Sequence, residues 1–227
     1  MAAGRTAIST TPPSHTAPRR ATRWRRVEVK PEIRERHIVY AGYLTVERLL
    51  VKLADGAEVW REVERHGDAV VVLPYDAARR CAIVVRLFRA PVFAATGAAD
   101  LQEACAGMIE NETAETALRR EAYEELGMAL NSLEFVAQIW SSPGVSTERQ
   151  TLFLAPYSRT DRIGPGGGVD GEHEGITVAE LPLLELAADA DHGRITDGKL
   201  LTLILALRLR QPDLFAETHS TASGPQR

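Results

Sequence analysis

The chain has 227 residues, 44% of them hydrophobic and 26% charged, with a formal net charge of −4. Such a chain is long enough to bury a real core as one domain with an extension or as two small domains, and its composition is that of an ordinary globular protein. The charge is uneven: residues 1–26 carry six Arg and no acid, leaving 21 basic against 31 acidic residues, a sum of −10, for the remainder. Outside that tail there is no basic face with interleaved aromatics, which argues against a nucleic-acid partner. No apolar run reaches the roughly 18 residues of a membrane span.

The first residues are rich in Arg, Ser, Thr and Pro. Transit peptides share that composition, but lack of hydrophobes alone accounts for a disordered basic tail, expected over 1–31, and no apolar stretch of a secretory signal is present. From 32 to 66 the pattern is one of short strands: HIVYAG and TVERLLVKL lead into the hairpin dipeptide Asp55-Gly56 and then EVWREVE. A β unit this small is not stable alone and must pack on the rest of the chain or on a second copy. The main domain, 67–212, opens with DAVVVLPY and CAIVVRLFR, continuous apolar runs expected of strands covered on both faces. Cys81 and Cys105 sit in apolar runs, far from any CxxC spacing. They read as buried thiols of a reducing, cytoplasmic compartment.

After LQEACAG comes a helix whose apolar positions Ala114, Ala117, Leu118, Ala122 and Leu126 recur at helical spacing and which Gly127 closes. SLEFVAQIW and RQTLFLAPY are two further strands joined by SSPGVSTE. A glycine-rich loop, IGPGGGVDGEHE, precedes a strand at ITVAEL, a helix from near Leu183, and a last helix capped by Asp197 and running to about Leu209. The tail over 213–227 is expected to be disordered. The sum is α/β: an α/β/α sandwich with a mixed sheet, preceded by a small antiparallel β unit.

The helix 112–127 concentrates carboxylates. Glu121 and Glu125 are four apart, with Glu124 beside them, so like charges share one face and repel unless the face is simply solvated or a hard cation lies between them. The flanks favour the cation. Gly107, Glu112, Arg120, Glu121, Glu124, Glu125 and Gly127 read G-x4-E-x7-R-E-A-Y-E-E-L-G-M. This resembles the signature of the Nudix hydrolases, with one residue fewer between the first glycine and the first glutamate. The segments EACAG, SPG-x-S-x-E, GGGV and Asp197-Gly198-Lys199 are similar to those of the nucleoside-diphosphate-sugar branch, which includes GDP-mannose and ADP-ribose pyrophosphatases.

The resemblance implies the Nudix sandwich and metal-dependent hydrolysis of a nucleoside diphosphate sugar, GDP-mannose or ADP-ribose, to a nucleoside monophosphate and a sugar phosphate. Mg²⁺, or Mn²⁺, is the implied cofactor. Glu121, Glu125, Glu174 and the carbonyl of Ala106 are its implied ligands, with Glu124 acting through water or pairing with Arg120, which orients the cluster. Glu172 is the implied proton acceptor, although the roles of Glu172 and Glu174 are interchangeable on this reading. Arg61, Glu62, Arg89, Ser142, Glu148 and Lys199 match substrate contacts. The first two sit on the β unit, so a swapped homodimer would carry them to the partner's site. The alternative is a Nudix-fold nucleotide sensor without hydrolysis, but sensors are expected to lose box glutamates and all three are present here.

Overall fold

The computed structural model describes residues 30–168 and 175–216. It contains two sheets. The first is antiparallel, built from β1 (Glu32–Ala41), β2 (Thr45–Lys52) and β3 (Glu58–Arg65) in that order, with Asp55-Gly56 in the β2–β3 turn. The side chain of Asp55 accepts from the amide of Ala57, and Gly56 takes a left-handed conformation there (φ +89°). Every residue of β1 is exposed, Ile33, Ile38, Val39 and Tyr40 included.

The second sheet is mixed. Its strands are β4 (Ala69–Asp76), β5 (Cys81–Leu87), β6 (Leu101–Glu103), β7 (Cys105–Met108), β8 (Glu134–Trp140), β9 (Arg149–Pro156) and β10 (Thr177–Pro182). The order is β10-β5-β4-β9-β8; β4 and β9 run parallel and the other pairs antiparallel. The hairpin β4–β5 is zipped only at Tyr75–Ala82 and Asp76–Cys81. Beyond those pairs the strands diverge, and residues 101–108 fill the gap: β6 pairs with β5 and β7 with β4. The sheet forks, and its open end becomes the wall of a cleft.

Alternation along the central strands builds two cores. Val70, Val72, Ile83, Val85 and Phe153 face one side, where Leu118, Ala122 and Leu126 of α2 (Ala114–Leu126) cover them. Val71, Leu73, Val84, Leu152 and Leu154 face the other, under α3 (Leu183–Asp191) and α4 (Gly198–Arg210). This is the α/β/α sandwich expected from the sequence, with both cysteines free and buried. One α-helix was not foreseen: α1 (Ala90–Thr96), seven residues with a proline in its first turn and Gly97 at its end; a 3₁₀ turn at Pro212–Phe215 also extends into the expected tail. Helix α1 buries no residue, so it has no apolar stripe to announce it. Among the described residues no helix is long and apolar enough to cross a membrane.

Candidate active site

The open end of the forked sheet and the polar face of α2 enclose a cleft of about 550 Å³. Helix α2 is held at both ends by its own sequence. Thr113 caps its start by accepting from the Thr116 amide, and Gly127, left-handed at φ +65°, closes it with a bond to the Tyr123 carbonyl. Its apolar stripe is locked onto β4 and β7, and Glu121, Glu124 and Glu125, the last itself buried, line the flank of that stripe that faces the cleft beside Ala106 of β7. Gly107 leaves room for this. A Cβ there would lie 1.8 Å from the carboxyl carbon of Glu121, so any other residue would expel that carboxylate from the strand.

Arg120 organises the acids. It donates to Glu112 (2.9 Å), Glu121 (2.8 Å), Glu124 (3.1 Å) and the Met108 carbonyl (3.2 Å). A simple i,i+4 pair with Glu124 is thus only part of its role. Even so the cleft is acidic: among the described residues six carboxylates line it, against the three cations Arg89, Arg120 and Lys199. No three acidic, His or Cys side chains among those residues converge to enclose a metal by themselves. Mg²⁺-like ions need only one or two carboxylates, completed by water and substrate oxygens. Glu121 and Glu125, with the Ala106 carbonyl and the space that Gly107 preserves, fit that requirement. The thiol of Cys105 offers no alternative nucleophile, since burial and then the adjacent Glu125 push its pKa well above the ordinary value.

A second charged group forms the cleft floor, and its centre, Glu103, was missed in the sequence. This carboxylate on β6 is 2% exposed. Arg89, between β5 and α1, grips it with two bonds of 2.7 and 3.1 Å, and Lys199 Nζ at the start of α4 adds a third of 2.9 Å. Asp197 caps α4, accepts from the Ala104 amide and holds Lys199 Nζ at 2.8 Å. Burial opposes ionisation of Glu103, but Arg89 and Lys199 outweigh it and hold the carboxyl below its ordinary value. Burial likewise opposes the charge on Lys199, and Asp197 and Glu103 outweigh that, raising its pKa. The available signal was a lone acid in the apolar segment LQEACAG, which demands a buried cation.

Of the other expected site residues, Glu148 lines the cleft beside His66 and Gln150, two residues that sequence reasoning did not single out. Ser142 lies in the adjoining turn, its carbonyl accepting from Val145 and Ser146, and does not line the cleft. Arg61 and Glu62 are exposed on β3, also outside this cleft. Beyond them Glu64 pairs with the same turn, through its amide to Val145 (2.7 Å) and its carbonyl from Thr147 (3.0 Å). Glu172 and Glu174 lie outside the described residues.

The glycine-rich loop is tied to the end of α2 through its backbone. Its first half, 163–168, supplies the donors that the C-terminal carbonyls of α2 otherwise lack. Ile163 and Gly164 donate to Gly127 (2.8 and 3.0 Å), Gly167 to Glu125 (2.7 Å) and Gly168 to Glu124 (3.2 Å). Gly166 is left-handed (φ +69°), and a Cβ on it would sit 2.3 Å from the Glu125 carbonyl oxygen. Gly166→Ala is therefore expected to lower stability by about 1–3 kcal/mol and to reduce turnover. Gly164→Ala, whose Cβ meets nothing nearer than 3.6 Å, should do neither. Equal effects in urea unfolding and kinetics would sink the clamp.

The Glu103 cluster also carries a pH signature. A lowered carboxyl pKa contributes stability that is complete above the ordinary value of 4.5 and lost as pH falls through the folded value. The melting-temperature gap between wild type and Glu103→Gln should be widest near neutrality and narrow in acid below that value. A gap independent of pH would mean that the ion pairs do not stabilise the fold.

Comparison with known proteins places this geometry. The NUDIX domain family profile matches residues 65–198. A GDP-mannose pyrophosphatase of Pectobacterium atrosepticum is 40% identical over 145 residues, which cover 63% of this chain and 74% of that protein. A GDP-mannose pyrophosphatase of Escherichia coli is 34% identical over 177 residues, 76% of this chain and 92% of its own. Among solved structures, an ADP compounds hydrolase superposes with a TM-score of 0.61 at 20% identity, over 80% of this chain and 96% of that one, a likeness of fold. Proteins of this family generally use divalent metal ions. With the Gly107–Met128 signature folded as strand, loop and carboxylate-bearing helix around one cleft, the chain belongs to the Nudix hydrolases.

Proposed function

We propose that the protein hydrolyses the diphosphate bond of a nucleoside diphosphate sugar, GDP-mannose in preference to ADP-ribose, releasing a nucleoside monophosphate and a sugar phosphate. The observation that carries this reading is the sharing of one cleft by the α2 carboxylates and by the Arg89–Lys199 pair. The first group suits a divalent cation and the second suits phosphate oxygens. The GDP-mannose pyrophosphatases among the relatives support the choice of sugar nucleotide, as does Lys199, whose ammonium lines the cleft rather than facing solvent.

In this reading Mg²⁺, or Mn²⁺, is held by Glu121, Glu125, the Ala106 carbonyl and Glu174. The chemistry it supplies is neutralisation of diphosphate charge and acidification of a bound water. Arg120 keeps Glu121 and Glu124 from turning away, Arg89 and Lys199 orient the diphosphate, and Glu172 takes the proton. The two buried free thiols support a reducing, cytoplasmic setting.

We further infer a homodimer. The whole of β1 lies exposed, with Ile33, Ile38, Val39 and Tyr40 forming an uncovered apolar patch. Pairing of two β1–β3 units would cover that face and bring Arg61 and Glu62 to the partner's cleft. Sedimentation at micromolar concentration should return twice the mass of 24.9 kDa; a strict monomer removes the cross-chain role.

The decisive assay follows GMP from GDP-mannose and AMP from ADP-ribose, with Mg²⁺ and then with EDTA. Metal-dependent GMP release at the higher kcat/KM is expected. Glu121→Gln and Glu125→Gln should each lower turnover by about 10²-fold or more with an unchanged circular dichroism spectrum. Near-normal turnover in either would remove the metal-site reading.

A further inference from the structure

We propose that Glu103 is a positioning residue of the hydrolytic site: its one buried carboxylate ties Arg89 to Lys199 and so sets the spacing at which both cations meet the substrate's diphosphate. The inference rests on the hydrolase reading above and adds a residue to it. Two pieces of chain separate in sequence converge on this carboxylate, Arg89 from 14 residues away and Lys199 from 96. Arg89 presents the Nε edge of its guanidinium to both carboxylate oxygens, which fixes its plane as well as its place. Two of its five N–H donors are used in this way, and its side chain remains 44% exposed on the cleft. Lys199 shares Oε2 with Arg89 and is steadied from behind by Asp197.

Packing alone does not require a charge at this point. The neighbouring Leu87, Ala104 and Cys105 are buried and apolar, and an apolar group of similar volume in place of buried ions is often as stable or more so. What the ions supply is placement. With Glu103 and Asp197 as counterions, the two cations are kept close without repelling one another. On the helix side Arg120 pairs with Glu121 and Glu124. Glu103 lies three residues before Ala106 in the same extended segment, so the anchor of the cations and a residue lining the acidic side of the cleft belong to one stretch of the sheet.

Glu103→Gln preserves shape and removes the charge. It is expected to raise KM for GDP-mannose by about tenfold or more, the scale of a lost charge-assisted contact. The change in kcat should be smaller, and Mn²⁺ affinity, read by electron paramagnetic resonance, should stay within about twofold of wild type. Combined with Lys199→Met, it should add little to the loss that Lys199→Met causes alone. A folded Glu103→Gln protein with unaltered KM overturns the proposal. So do losses that multiply in the double variant, or a parallel loss of Mn²⁺ affinity, which would mark general damage to the cleft. Should Glu103→Gln not fold, Arg89→Met, Lys199→Met and their combination ask the same question: a shared anchor predicts losses that do not multiply, and full multiplication refutes it. Calorimetric titration with inorganic pyrophosphate and Mn²⁺ reads these variants whichever sugar nucleotide is turned over. Absence of turnover in the wild type would then defeat the functional reading alone, and the pyrophosphate affinities would still decide the role of Glu103.

Discussion

The parting of β4 and β5 after two residue pairs is the constraint on which the rest of the molecule depends. Two strands that separate inside a sheet leave rows of backbone donors and acceptors that must be satisfied. Residues 101–108 do so by entering the fork, pairing with β5 on one side and β4 on the other. That entry carries Glu103, Ala106 and Gly107 into the middle of the sheet, where short apolar side chains would ordinarily sit. The cleft is therefore a property of sheet topology before it is a property of any side chain. Helix α2 and the start of α4 need only lie on the two faces for their polar ends to meet at the fork.

The cleft holds more acid than base, and the bases are divided between two assignments. Arg120 gathers Glu112, Glu121 and Glu124 on the helix side, while Arg89 and Lys199 are bound to Glu103 and Asp197 on the sheet side. The carboxylates of Glu103 and Asp197, taken out of water, are tolerated because a cation meets each at hydrogen-bond distance. The excess of acid on the helix side is what a divalent ion would neutralise, and the restrained cations on the sheet side are what would keep anionic substrate oxygens in place. Separation of the two assignments matters, because Arg89 bound to Glu121 would close the very site a metal needs.

Much of this was legible in the sequence, for reasons that are local. The two core strands announced themselves as uninterrupted apolar runs, and α2 showed helical spacing and a terminal glycine within one short stretch. The carboxylates fell at fixed offsets along that helix, so their common face followed from its geometry. What escaped was non-local. Nothing in LQEACAG states that it will enter a fork between two strands formed earlier in the chain, and without that the burial of Glu103 has no reason. Helix α1 escaped because it buries nothing, although Pro91 and Gly97 marked its two ends. In the glycine-rich loop composition is silent: four glycines read alike whether the chain is loose or is pressed against a helix terminus too closely for a Cβ.

That loop has a consequence for how the chain can vary. Every bond between 163–168 and the end of α2 is donated by a backbone amide and accepted by a backbone carbonyl. Side chains at 163 and 165 are therefore nearly irrelevant to the clamp, while Gly166 is held by space and by its left-handed backbone. Registration is a different matter. One residue inserted or removed within 163–168 would slide the row of amides past its carbonyls and leave the last turn of α2, with Glu124 and Glu125 on it, unsupported. Spelling in this loop is free at most positions; its counting is not.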